Sequence, residues 1–149
     1  MLIGIDPLLG PKLLMILRAM GHGDEIAIVD ANHPATANAK RLVRLDAADA
    51  SRALKAILSV LPLDSFVESP ANCMQVVGKP DEIAPSVADF QTIVDSLAGF
   101  PVAIARIERF AFYERTRSCF AIVATGDRRL YANIILTKGV LDAEGALVK

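Results

Sequence analysis

His22 lies between two glycines, in the segment Gly21-His22-Gly23, and is the first residue of this sequence whose type and setting suit proton transfer. Flanking glycines leave the imidazole uncrowded and let the backbone approach a ligand closely. The unperturbed pKa of a histidine lies near neutrality, so such a side chain can both give and accept a proton at cellular pH. The same spacing also suits a histidine that caps the end of a helix, and the residues alone leave both roles open.

Two charged residues further along, Asp30 and Arg109, are candidates for binding a polar ligand. Asp30 ends a predicted strand, where ligand crevices of open α/β sheets commonly lie. It could pair with His22 or accept hydrogen bonds from a ligand, although a turn-forming role ahead of Pro34 fits equally well. Arg109 opens a strongly aromatic stretch, in which a charged residue needs a partner or a ligand. Such a stretch suits the apolar faces and hydroxyl groups of a sugar, but core packing explains its phenylalanines as well.

Tyr131 and Asn133 occupy alternate positions of one apolar segment near the end of the chain. If that segment is extended, both side chains face the same side of it and can line one pocket. An ordinary edge strand shows the same pattern. His33 shares a loop with Asp30, and its position there predicts only a peripheral place.

Alternating helices and strands must position these residues. Apolar residues at helical spacing predict helices over residues 11–20, about 50–60 and 85–97. Short apolar and β-branched runs predict strands over residues 25–30, 41–45, 74–77, 102–107, 120–125 and 132–136. We therefore expect one α/β domain over residues 1–149, with helices covering a mixed or mainly parallel sheet and a loosely held tail at 141–149.

Charge and hydrophobicity exclude several classes of partner. The chain has 16 basic and 17 acidic residues, without the one-sided basic surface that binding to a phosphate backbone requires, so we expect no nucleic acid. Hydrophobic residues make up 53% of the chain, but no uninterrupted apolar run is long enough to cross a bilayer, so we expect no membrane. The apolar excess predicts that copies of the chain cover part of each other's surface.

Cysteine usage and missing motifs bear on the compartment and the chemistry. Cys73 and Cys119 are far apart and belong to no CxxC pair, which indicates buried thiols in a reducing compartment. Asp6 precedes the early apolar run and Arg18 interrupts it, which argues against a signal peptide and for a cytoplasmic location. The sequence has no GxGxxG, Walker loop, HExxH or GxSxG motif, so we expect chemistry without a cofactor or a metal.

Four separated motifs, in this order along the chain, resemble the L-fucose mutarotase / D-ribose pyranase family on its fucose mutarotase branch. They are Met20-Gly21-His22-Gly23-Asp24-Glu25, Asp30-Ala31, the Arg109–Arg115 sequence RFAFYER, and the Tyr131–Val140 sequence YANIILTKGV. The resemblance covers nearly the whole chain except the tail. It implies an isomerase of fucose metabolism in which His22 is the acid/base residue, Asp30 and Arg109 bind the monosaccharide, and the segment from Tyr131 to Asn133 completes the pocket.

The resemblance further implies a ring-shaped homo-oligomer, commonly a decamer of two pentamers, with pockets built between neighbouring subunits. This sequence departs from the family where Ala132 replaces a frequent glycine and where His33 replaces a common aromatic residue, which leaves the identity of the sugar open. Ribose pyranases tend to carry histidine where this chain has Arg109, which favours the fucose branch. The alternatives are a D-ribose pyranase and a non-catalytic sugar-binding or transport accessory protein.

Overall fold

A six-stranded sheet forms the centre of the computed structural model, which describes residues 2–149. In chain order its strands are β1 (Glu25–Val29), β2 (Leu42–Leu45), β3 (Ala71–Met74), β4 (Ala105–Ile107), β5 (Ala121–Thr125) and β6 (Ile134–Thr137). They lie side by side in the order β2-β5-β1-β6-β3-β4. Strand β6 is antiparallel to its neighbours β1 and β3, and the remaining neighbouring pairs are parallel. The predicted mixed α/β sheet is confirmed.

Helices cover both faces of this sheet. They are α1 (Pro11–Ala19), α2 (Ala35–Asn38), α3 (Ala50–Leu58), α4 (Pro85–Leu97) and α5 (Arg109–Ser118). Side chains alternate along β1, so that Ile26 and Ile28 pack in a cluster with α1, α3 and α4, whereas Ala27 and Val29 pack in a cluster with α2 and α5. The two clusters are the two halves of the core. No helix within residues 2–149 combines the length and the apolar character needed to span a bilayer.

The predicted helices over 11–20, about 50–60 and 85–97 are present, but several other elements differ from the sequence pattern. Helix α2 was not predicted, and β4 covers only the end of the strand predicted over 102–107. Strand β3 ends at Met74, where the pattern placed a strand over 74–77, because the chain turns back on itself between Val76 and Lys79. Helix α5 fills the aromatic stretch that the pattern left unassigned, and the Glu108 side chain caps it by accepting hydrogen bonds from two backbone N–H groups of its first turn.

The expected extension of the last strand through Tyr131 and Asn133 is wrong. Strand β6 begins only at Ile134, and Tyr131 has a φ of 62°, in the left-handed region that residues with a side chain seldom adopt. Both side chains still face one cavity, but a turn directs them there. Beyond β6 the tail folds back on itself, with Leu141 bridging to Leu147 and the Val148 N–H donating to the Val140 carbonyl.

Candidate functional site

A pocket of about 190 Å³ opens at the edge of the sheet where the carboxyl ends of β1 and β3 meet the amino end of β6. Because β6 runs against its neighbours, residues just before it come together with residues just after β1 and β3. The N-terminal turn of α5, which follows β4, closes the same edge. The pocket is lined by the predicted residues Asp30, Arg109, Tyr131 and Asn133, joined by His33 and Tyr113.

Asp30 and Asn133 hold each other at the floor of this pocket. The Asp30 backbone N–H donates to Asn133 Oδ1 at 3.0 Å, and Asn133 Nδ2 donates to Asp30 Oδ2 at 2.6 Å. Asp30 Oδ1 also accepts from the backbone N–H groups of Asn32 and His33. Burial raises the pKa of Asp30 above its ordinary value although these hydrogen bonds oppose the rise. The result is a fixed, buried carboxyl with an increased affinity for a proton.

Arg109 and Tyr131 form the polar walls. Within residues 2–149 Arg109 enters no ion pair, and its guanidinium carbon lies 4.6 Å from the centre of the Phe110 ring. Its donors are therefore available to a ligand in the pocket. The Tyr131 hydroxyl accepts a hydrogen bond from the Val77 N–H at 3.1 Å, which ties the strained turn before β6 to the end of β3. Left-handed backbone at a residue other than glycine is typical of functional sites held by their surroundings.

His22 lies at the opposite edge of the sheet. The five residues of β1 stand between it and Asp30, a separation of about 16 Å at roughly 3.3 Å per strand residue. The His22 ring is half exposed, and its Nε2 lies 3.2 Å from Oδ2 of Asp64. The hypothesis that His22 pairs with Asp30 is therefore wrong within one chain. Capping of α1 is performed by Lys138, whose ammonium group donates to the Leu17 and Met20 carbonyls.

Asp64 is a partner of His22 that the sequence pattern did not indicate. Its side chain is 3% exposed, and Oδ1 accepts a hydrogen bond from the Phe66 N–H at 3.0 Å. The Asp64 N–H in turn donates to the Thr137 carbonyl at the end of β6. The Phe66 ring packs edge-on against the imidazole, 5.9 Å between ring centres. An acidic residue directly after the apolar run Leu61-Pro62-Leu63 is the only local signal that could have drawn attention to it.

His33 lies in the pocket rather than at its periphery. Its side chain is buried, with the ring 5.3 Å from that of Tyr113 and 6.5 Å from that of Phe112. Burial lowers the pKa of His33 from 6.5 to about 4, so its imidazole is neutral at neutral pH. Its place in the loop after β1, which it shares with Asp30, could be read from the sequence, but its burial depends on α2 and α5.

Neither cysteine of the chain lines this pocket. Burial raises the pKa of Cys119 to about 12 and that of Cys73 further, so both thiols stay protonated at neutral pH. Both cysteines are free and buried. Across the part of the chain that the structure describes, no three His, Cys, Asp or Glu side chains are grouped in a way that would hold a metal ion.

Known proteins are similar to this chain in sequence and fold. The profile of the RbsD / FucU transport protein family matches residues 3–141. A Homo sapiens protein named fucose mutarotase is 44% identical over 144 residues, which cover 93% of this chain and 93% of the relative. An L-fucose mutarotase of Actinobacillus pleuropneumoniae is 38% identical over 141 residues, 94% of this chain and 97% of the relative. The crystal structure of the fucose mutarotase from Streptococcus pneumoniae in complex with L-fucose superposes with a TM-score of 0.88 at 41% identity, covering 95% of this chain and 100% of that one.

Proposed function

The chain belongs to the RbsD / FucU family, and on that premise we propose that it is a mutarotase that interconverts the α and β anomers of L-fucose. Its relatives with this activity match it over nearly their whole length, and the family resemblance of its four motifs is confirmed. The activity makes the protein an isomerase. Its reaction breaks and re-forms one hemiacetal bond, a step that general acid and base groups can catalyse by themselves.

The observation that carries the proposal is the composition of the pocket at the carboxyl edge of the sheet. A carboxyl, a carboxamide and an unpaired guanidinium converge there from Asp30, Asn133 and Arg109. The aromatic rings of Tyr113 and Tyr131 also line this pocket. Hydrogen-bonding groups placed beside apolar ring faces match a monosaccharide, whose hydroxyls project from an otherwise apolar ring.

The acid/base residue of this proposal is His22, acting in the pocket of a neighbouring subunit. A single chain keeps His22 and the pocket at opposite edges of the sheet, so the two can meet only between chains. Large apolar side chains are exposed at both edges, with Phe66 61% exposed beside His22, and Phe110 67% and Leu130 69% exposed beside the pocket. Such side chains are typical of surfaces that a subunit covers. We extend the proposal to a ring-shaped homo-oligomer, with a decamer as the expected form.

Ring opening then follows from two proton transfers. His22 gives a proton to the ring oxygen as the bond between that oxygen and the anomeric carbon breaks. A water held by Asp30 takes the proton of the anomeric hydroxyl, whose electrons form the aldehyde C=O bond. Rotation about the bond next to the aldehyde and the reverse transfers close the ring on the other face. Positioned acid/base groups accelerate such a step by roughly 10²–10⁴-fold, a useful gain over the slow exchange of sugars in water.

The two buried free thiols support a cytoplasmic location as part of the same proposal. A D-ribose pyranase is the less favoured activity, because Arg109 stands where ribose pyranases tend to carry histidine.

The test is the rate of exchange between the anomers of L-fucose, measured by saturation-difference NMR. The wild type is expected to accelerate exchange, and His22→Ala is expected to lose roughly 10²-fold or more of that acceleration while its oligomeric state stays the same. Lys55→Ala, an exposed substitution on α3, is the matched control and should exchange at the wild-type rate.

Three outcomes discriminate between the candidate functions. Unchanged exchange in His22→Ala would remove His22 from the mechanism. A wild type that binds L-fucose without accelerating exchange would point to the non-catalytic sugar-binding protein. Faster exchange of D-ribose than of L-fucose would assign the ribose activity.

A further inference from the structure

The His33 imidazole is a buried polar group that makes no hydrogen bond within residues 2–149. The residue is 8% exposed, and both ring nitrogens are shielded from solvent. Buried polar groups in native proteins nearly always have a partner, and an exception calls for an explanation. The hydrogen bonds that the His33 residue does make use its backbone N–H, which donates to Asp30 Oδ1 at 3.1 Å.

The ring stands at the wall of the proposed sugar pocket. His33 lines the cavity that contains Asp30, Arg109 and Asn133, and it also lines a second cavity of about 250 Å³. The Tyr113 ring, 5.3 Å away, holds it on the side of α5. Rotation about the Cβ–Cγ bond decides which edge of the ring faces the pocket, and the flipped ring occupies nearly the same volume.

A neutral imidazole matches a sugar hydroxyl in hydrogen-bonding capacity. One ring nitrogen donates and the other accepts, and a hydroxyl likewise does both. Because burial lowers the pKa of His33 to about 4, the imidazole is neutral at neutral pH and lacks the acidic second proton of the imidazolium form. The group is therefore suited to holding a hydroxyl in place and not to acid catalysis.

We propose that His33 is a further substrate-binding residue, whose ring nitrogen bonds one hydroxyl of the monosaccharide and so takes part in selecting among sugars. The inference rests on the function proposed above. In the complex, a sugar hydroxyl would be the partner of one of the two ring nitrogens that make no hydrogen bond within residues 2–149 of the free protein.

The substitution His33→Phe tests the proposal, because phenylalanine keeps a planar ring beside Tyr113 and removes both nitrogens. We expect the dissociation constant for L-fucose to rise by roughly three- to tenfold, the effect of one neutral hydrogen bond. The unfolding temperature should stay the same or rise, since a buried unpaired polar group is lost. His33→Gln, which returns a donor and an acceptor, should recover part of the affinity. A structural histidine would give the opposite pattern, with lower stability and unchanged affinity.

Deoxy analogues of L-fucose, lacking the hydroxyl at C1, C2, C3 or C4, identify the contact by a double-mutant comparison. The analogue without the bonded hydroxyl should bind the wild type roughly three- to tenfold more weakly than L-fucose, and should bind wild type and His33→Phe equally. If His33→Phe weakens every analogue by the same factor as L-fucose, no hydroxyl contacts this ring and the inference is wrong.

A spectroscopic readout separates this inference from the proposed function. The chain has two histidines, so the ¹⁵N-labelled imidazole signals of His33 are assigned directly in the His22→Ala variant. Adding L-fucose should shift a ring-nitrogen signal of His33. Binding of L-fucose with unchanged His33 nitrogen signals would overturn the role of His33 alone, whereas no binding of L-fucose to the wild type would overturn the proposed function as well.

Discussion

The polar side chains of the pocket differ in whether they already have hydrogen-bond partners in the free protein. Asp30 and Asn133 bond each other twice and cannot turn away from their positions. Arg109 and His33 keep donors and acceptors that no side chain within residues 2–149 uses. In such a site the side chains at the floor have a fixed geometry, and the donors and acceptors of the walls can form hydrogen bonds with a ligand. A preorganised site of this kind binds its ligand with little structural change.

The lowered pKa of His33 makes the stability of the protein depend on pH. The unfolded chain binds a proton at His33 below about pH 6.5, but the folded chain does so only below about pH 4. Stability is therefore expected to fall as the pH is lowered between these values. From about pH 7.5 to about pH 4.5 the contribution of His33 to the free energy of unfolding should drop by about 2–3 kcal/mol.

The measurement is urea unfolding of wild type and His33→Phe at both pH values and one protein concentration, because assembly affects apparent stability. The difference between the two proteins isolates His33 from the other titrating groups, Asp30 among them. The wild type should lose more stability than the variant on acidification. Equal losses would show that the folded protein protonates His33 as readily as the unfolded chain does.

The sequence could indicate which residue types belong to the site but not their partners. His22, Asp30 and Arg109 are chemically distinctive and occur at breaks between predicted elements, so they could be named directly. Burial of His33 depends on α2 and α5, and the pairing of His22 with Asp64 joins residues far apart in the chain. No local pattern contains such contacts, because they arise when distant segments pack.

At the level of elements, the sequence predicted those whose periodicity is regular. Helix α5 was left unassigned because Phe110 and Phe112 alternate with small or polar residues, as strand residues do. In the structure Phe112 is fully buried while Phe110 is 67% exposed, so the two phenylalanines face different surroundings on a helix. The turn at Tyr131 could not be predicted for a similar reason, since the apolar residues on either side of it favour a strand.

Gly139 brings the segment that carries Asp64 against the end of β6. A Cβ atom at position 139 would lie 2.3 Å from the Leu63 carbonyl oxygen, far inside normal contact. The Gly139 N–H donates to the Pro62 carbonyl, and the Asp64 N–H donates to the Thr137 carbonyl. Two backbone hydrogen bonds therefore join the two segments at this point. Glycine is therefore required for Asp64 to reach His22.

The substitution Gly139→Ala is expected to push these segments apart, with two consequences. The free energy of unfolding should fall by about 1–3 kcal/mol, the usual result of overpacking against backbone. Exchange of L-fucose anomers should also slow, because Asp64 no longer holds His22. Asp64→Asn should slow exchange by roughly tenfold or more with a smaller change in stability, since it removes the charge and keeps the shape.

Urea unfolding and NMR exchange rates measure both effects. Gly10→Ala is the matched control, because a Cβ at Gly10 meets nothing within 4 Å. Wild-type stability in Gly139→Ala would mean that the backbone adjusts without strain. Wild-type exchange in Asp64→Asn would show that His22 needs no carboxylate partner.

At the scale of the whole molecule, the sheet itself separates the proposed acid/base residue from the pocket. His22 precedes β1 and the pocket follows it, and β1 is fully buried after its first residue. No side-chain rotation can cross that distance. A second chain placed with its His22 edge against the exposed Phe110 and Leu130 would supply the missing group, and the apolar excess of the sequence would be covered at the same contact.

A shared site predicts recovery of activity when two inactive variants assemble together. His22→Ala keeps an intact pocket, and Arg109→Ala keeps an intact His22, so each alone should exchange anomers slowly. Co-expression in equal amounts should produce oligomers in which about one quarter of the sites combine the intact halves, restoring about a quarter of the wild-type rate per site. The two proteins purified separately and mixed without exchange of subunits are the control and should stay inactive. If each chain formed its site alone, every subunit would carry one defect and co-expression would restore nothing, so the rate of the mixed oligomer decides whether the site lies between subunits.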